Sequence, residues 1–201
     1  MKAALGFRAH SGWAVMVAVG GSASAPVVLE RRRVELVDRQ IAGAVQPYHA
    51  AAEMELKDAE AFLGRCADAA NAMAAATLRD VLAELAARGY QATGCGVLLA
   101  GGRPAGDLAK TLASHPAIHT AEGEFFRNAL KRAAESHGLV VTGIKERDLS
   151  GHAAGKLGVP ADELQRQVAG LGKAAGPPWR QDEKLSALIG WLVLAEGKVN
   201  Q

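Results

Sequence analysis

The side chains best equipped for chemistry lie in one short stretch, His115-Pro-Ala-Ile-His119-Thr-Ala-Glu122-Gly-Glu124. Two imidazoles and a carboxylate are the donor set of a facial triad for a divalent metal. His115, His119 and Glu122 are therefore candidate metal ligands, and Glu122 and Glu124 candidate catalytic acids. A metal so held would polarise a scissile bond and activate water, which is hydrolase chemistry. The alternative is that each histidine is an ordinary loop residue, because Pro116 and a helix start expected at Thr120 leave the spacing non-helical. An anion above that helix start would face both histidines and be repelled by Glu122 and Glu124, while Arg127 one turn on would offset either acid.

Two smaller groupings flank this one. Arg8 and His10, close to the N-terminus, form a candidate ligand-binding pair, and Asp182-Glu183 supplies adjacent carboxylates that are candidate catalytic acids. The two carboxylates are equally the first-turn acids that a helix dipole favours. Gly101-Gly102-Arg103-Pro104-Ala105-Gly106 follows an apolar run, but it has neither the Lys-Ser/Thr of a phosphate loop nor the spacing of a dinucleotide fingerprint, and reads as a plain loop. No Gly-x-Ser-x-Gly elbow occurs, and neither cysteine has a histidine close by in sequence.

The elements that must position these groups follow from periodicity. Residues 3–8, 13–19 and 26–36 are β-rich runs separated by short Gly, Ser or Ala loops, the pattern of an antiparallel meander. Arg31-Arg32-Arg33 in the third run suits an edge strand, where charge suppresses sheet-to-sheet association; the sharper reading is a nucleic-acid patch. Residues 54–88 carry an apolar helical face through Phe62, Cys66, Ala69, Met73 and Ala76, continued by Leu78, Val81, Leu82 and Leu85. Residues 93–100 form an apolar strand, 108–112 a short helix, 120–136 a helix and 139–144 a further strand. Beyond these lie a Gly-rich segment, 150–178, with one short helix at 160–169, and a closing amphipathic helix at 182–194.

Composition narrows the field. With 49% hydrophobic and 22% charged residues the chain can bury a core and is not broadly disordered. No run approaches the ~20 apolar residues of a membrane span, so no membrane partner is expected. A net charge of +2 leaves no global footprint for nucleic acid, though a local basic patch stays open. Cys66 and Cys95 lack metal-ligand spacing and read as small buried hydrophobes of a reducing compartment, hence a cytoplasmic location. Lys2, the apolar run 13–19 and Ala23-Ser24-Ala25 imitate a signal peptide. Arg8, His10 and Pro26 argue against that reading and for a strand.

The succession of three antiparallel strands, long helix, strand, helix, strand and final helix resembles the ribonuclease H-like fold, and within it Holliday-junction-resolvase-like proteins. Ala4-Leu5-Gly6-Phe7-Arg8 with Ser11-Gly12-Trp13-Ala14 looks like the group's first hairpin. Gly155-Lys156-Leu157-Gly158 and Asp182-Glu183-Lys184-Leu185-Ser186-Ala187-Leu188 look like its closing region. The resemblance implies an α/β fold whose mixed sheet has three antiparallel strands followed by two parallel ones, flanked by helices. It also implies carboxylates converging on divalent Mg or Mn. The chain departs from that chemistry at Arg8, where the first carboxylate is expected, and at Gly101-Gly102-Arg103, where another should end the strand. Asp182 and Glu183 match acidic positions.

The expectation is a single domain, 1–201, with 150–178 as an insertion or flap. Three functional readings stand. The first is a divergent relative of junction resolvases that binds nucleic acid without cleaving it, with Arg8 paired to Asp182 in place of a metal. The second is a metal-dependent hydrolase using His115, His119, Glu122 and Glu124. The third is a homodimeric interaction module joined along the Ala-rich helix.

Overall fold

Alternation in the first two strands creates two apolar faces. In a computed structural model that describes residues 1–102 and 106–197, β1 (Lys2–His10), β2 (Trp13–Ser22) and β3 (Ala25–Glu35) form the expected antiparallel meander. Gly12, with φ of +82°, turns the first hairpin between His10 and its partner Trp13. Leu5, Phe7, Met16 and Ala18 point into one buried cluster; Ala4, Val15, Val17 and Val19 point into another.

The sheet is completed on the β1 side. β4 (Gln91–Leu99) pairs with β1 in parallel and β5 (Val140–Lys145) pairs with β4 in parallel, giving the order β3-β2-β1-β4-β5. The meander therefore lies on one side of β1 and the parallel pair on the other. β3 is the edge strand, and its arginines are engaged within the chain. Arg31 donates to the carbonyls of Gly176 and Pro177 at 3.0 and 3.1 Å, Arg32 pairs with Glu84 at 2.7 Å, and the Arg33 guanidinium lies 3.8 Å from the centre of the Trp13 ring.

Helices cover both faces. On the first lie α1 (Pro47–Ala51), α2 (Leu56–Ala87), α3 (Leu108–Leu112) and α4 (His115–Ser136); on the second lie α5 (Glu146–Leu157), α6 (Ala161–Ala175) and α7 (Gln181–Glu196). The apolar face of α2 packs within the chain through Phe62, Cys66, Ala70, Ala74, Leu78, Val81 and Leu85. Ala69, Met73 and Ala76 sit just off that face, because the buried stripe advances by four residues twice between Cys66 and Ala74.

Three expectations about the helices need correction. Ser114, not Thr120, precedes α4, and the Thr120 hydroxyl donates to the Pro116 carbonyl from inside the helix. Pro116 is compatible with this because a first-turn residue needs no intrahelical N–H partner. The Gly-rich segment forms α5 and α6 rather than one short helix. Leu149, Ala153, Leu164 and Val168 supply its buried stripe, while Gly151, Gly155 and Gly170 face open space. Finally, α7 is not amphipathic: Ser186 through Leu194 are all buried, since the sheet covers one side and α5 and α6 cover the other. The loop at 101–106 lies partly outside the described residues, at Arg103, Pro104 and Ala105.

Among the described residues no helix is long and apolar enough to cross a membrane. Cys66 and Cys95 are free thiols. Burial pushes both upward, Cys95 to about 12. Cys95 is thus expected to resist iodoacetamide in the folded protein at about pH 8 and to react once the chain is unfolded in guanidinium. Mass spectrometry of the alkylated protein reads the difference, and full labelling of folded Cys95 would contradict its burial.

Candidate functional site

Because β1, β4 and β5 run parallel, their carboxyl ends open on the same edge of the sheet, where open α/β sheets commonly place ligands. Here a cleft of about 1240 Å³ is bounded by the ends of these strands and by α4, α5, α6 and α7. Six cationic side chains line it: Arg8, Arg127, Lys145, Arg147, Arg166 and Lys184, against the acids Glu146 and Asp162. Among the described residues neither Lys145 nor Lys184 has a carboxylate partner, whereas Arg166 is held by Glu163 at 2.8 Å. The strand ends supply the floor, and these two lysines line the cleft among cations that acids of the chain already hold.

Arg8 is central to this edge. Its guanidinium donates through Nε and Nη2 to Glu146 at 3.0 and 3.1 Å, and through Nη1 to Asp182. The planar donor fork allows one arginine to serve two carboxylates at once. Those hydrogen bonds and the two negative charges outweigh the cost of partial burial and raise the Arg8 pKa. His10 stacks on Trp13 with ring centres 4.2 Å apart, and its Nε2 lies 3.2 Å from Asp182 but without hydrogen-bond alignment. Arg127 closes the row. Its Nε donates to the Leu98 carbonyl at 3.0 Å and its Nη1 lies 3.5 Å from Glu124. Burial pulls the Arg127 pKa down despite the carboxylates of Glu124 and Glu146.

The remaining acids are held differently. The buried Glu183 carboxylate accepts from the Arg180 backbone N–H at 2.7 Å, capping α7. Glu124 faces Arg127 and Lys131 rather than the histidines. Glu122 is buried and binds His49 Nδ1 at 2.9 Å, with the His49 and Tyr48 backbone N–H groups at 3.3 and 3.4 Å. Burial raises the Glu122 pKa, and the His49 hydrogen bond opposes that rise. His115 and His119 lie one turn apart on α4, with ring centres 4.4 Å apart, and His49 from α1 joins them.

Sequence reasoning missed Glu146, Lys145, Lys184 and His49. For the first two a signal existed: the charged run Lys145-Glu146-Arg147-Asp148 directly follows an apolar strand, a position at a strand's carboxyl end. His49 carried no local signal, since its partner Glu122 lies 73 positions away.

No protein-family model matches the sequence, and no curated protein matches it. Solved structures do. RuvC of T. thermophilus in complex with a Holliday junction substrate superposes with a TM-score of 0.55 at 13% identity, over 100% of this chain and 97% of that one. A second Thermus thermophilus RuvC structure gives 0.54 at 14% identity, over 98% and 95%. The match spans both chains nearly end to end, so it includes the meander, the parallel pair and the helices on both faces. The chain has the ribonuclease H-like fold that these structures share.

Proposed function

We propose that this protein binds nucleic acid in the cleft at the carboxyl ends of β1, β4 and β5, and that it does not cut the strand by paired-metal chemistry. The observation that carries the reading is the Arg8 guanidinium hydrogen-bonded to both Glu146 and Asp182. A Mg²⁺ or Mn²⁺ pair needs several carboxylate oxygens turned towards the same point. Here both carboxylates at that point are already hydrogen-bonded to one permanent cation, which occupies the place a metal would take, so the residues present do not fit the metals. Lys145 and Lys184, the cleft cations without a carboxylate partner among the described residues, are suited to phosphate oxygens. The likeness to a RuvC in complex with a Holliday junction supports branched DNA as the first ligand to try.

The reading predicts salt-dependent binding without hydrolysis. With a labelled four-way junction and a matching duplex, anisotropy should give a Kd that weakens steeply with salt, by a slope of about 0.9 per phosphate contacted. Replacing Lys145 and Lys184 together by alanine should weaken binding at low salt by about tenfold and reduce that slope by about two contacts. Binding that ignores both salt and these lysines would overturn the proposed surface. Magnesium-dependent cutting that disappears in Asp182→Asn would overturn the claim that the chain does not cleave.

A further inference from the structure

We infer that His49, His115 and His119 form a three-histidine site for a zinc-class divalent ion, with Glu122 as the residue that orients His49. The site lies between α1 and the first turns of α4, apart from the Arg8 cleft, and it does not depend on what that cleft binds. The ligand-type nitrogens of the three imidazoles all lie within 4.8 Å of one another. Three imidazoles on a zinc ion, each about 2.0–2.1 Å from it, stand about 3.4 Å apart. The His115 and His119 side chains are exposed, so small torsional changes can bring the nitrogens to that spacing.

The spacing has a clear origin. His115 and His119 are four residues apart on a helix that begins at His115, so their side chains stack on one face. The third histidine comes from a five-residue helix that packs on α4. A helix so short has little stability of its own, and a bond to metal would tie it to α4.

Glu122 gives the strongest indication that the cluster is more than three neighbouring rings. Its buried carboxylate lies 2.9 Å from His49 Nδ1; in the tautomer that donates Nδ1–H to it, the ring is fixed and Nε2 is the nitrogen left for a metal. Histidine ligands commonly hand their other N–H to a carboxylate in this way, and the negative charge raises their basicity. It also offsets the unfavourable meeting of a cation with the positive end of α4. An all-nitrogen donor set favours zinc, copper or nickel over the oxygen-seeking magnesium and manganese. Three protein ligands leave a fourth position for water on the exposed side.

The test uses the full chain without a histidine tag, stripped with chelator and then titrated with zinc sulfate by calorimetry. One zinc per chain is expected, with magnesium giving no heat. Cobalt(II) should give the visible absorption of a four-coordinate ion. His49→Ala and His119→Ala should each abolish stoichiometric binding, and Glu122→Gln should weaken it by about 10–100-fold. Failure of zinc to bind, or unchanged binding in His119→Ala with its circular dichroism intact, would overturn the site. Wild-type affinity in Glu122→Gln would overturn the orienting role. Should Glu122→Gln fail to fold, the two histidine variants still decide whether the metal binds.

Discussion

Arg8→Ala is expected to destabilise the fold by about 1–2 kcal/mol, because it leaves Glu146 and Asp182 without their shared counter-charge. The figure is kept below that of a fully buried pair since Glu146 is 41% exposed and water screens part of the repulsion. Arg8→Asp should cost more in chelator, as it sets three carboxylates against one another. On the proposed reading it should also create an acidic group able to hold Mn²⁺. Stability lost in Arg8→Asp should then return on adding the ion, by about 2.7 kcal/mol at roughly 100 times its Kd. Urea unfolding in chelator and in manganese measures both quantities. If wild-type protein responds to manganese as the variant does, Arg8 is not what keeps metal from those carboxylates.

The second large effect is predicted at Gly6. A Cβ placed there would sit 1.9 Å from the Ser186 carbonyl oxygen and 2.7 Å from the Gly190 nitrogen, both backbone atoms of α7. Backbone cannot rotate aside as a side-chain tip can, so Gly6→Ala must lift the buried α7 from the sheet. The loss should reach about 3 kcal/mol or more, at the upper end of overpacking costs. Gly64 makes the matching control. It lies on the exposed side of α2, where an added methyl would meet nothing within 4 Å, so Gly64→Ala should stabilise by about 0.5–1 kcal/mol. Opposite signs from the same chemical change, read as shifts in the urea midpoint, would show that close approach matters at Gly6. A neutral Gly6→Ala would mean that α7 does not pack as described.

These two residues also mark how far the sequence could be read. Gly6 and Arg8 share a strand that its short apolar run identifies, and the resemblance to the ribonuclease H-like fold implies that this strand lies near the start of the last helix. The Arg8–Asp182 contact could therefore be anticipated, whereas Glu146 as the second acceptor could not, because β5 and β1 are separated by β4 and meet only at the cleft. The helix at 54–88 was legible because its apolar stripe is long. Of the two helices at 146–175 only the stretch 160–169 was legible; the rest was obscured by glycines, of which Gly151, Gly155 and Gly170 lie on open faces. Pro116 was misleading in the same local way: it suggested a break and in fact occupies a first turn.

Local pattern was enough to define most of the elements and their order: alternation of two builds strands, recurrence of three and four builds helices, and both are properties of neighbouring residues. Which charges meet was settled only when the core assembled. Folding brought His49 to Glu122 and Arg8 to Glu146, and it gathered Lys145 and Lys184 at one end of the sheet. The reason is that a charge carries no periodicity. Its partner is chosen by the packing of apolar faces elsewhere, and that packing depends on shape across the whole core.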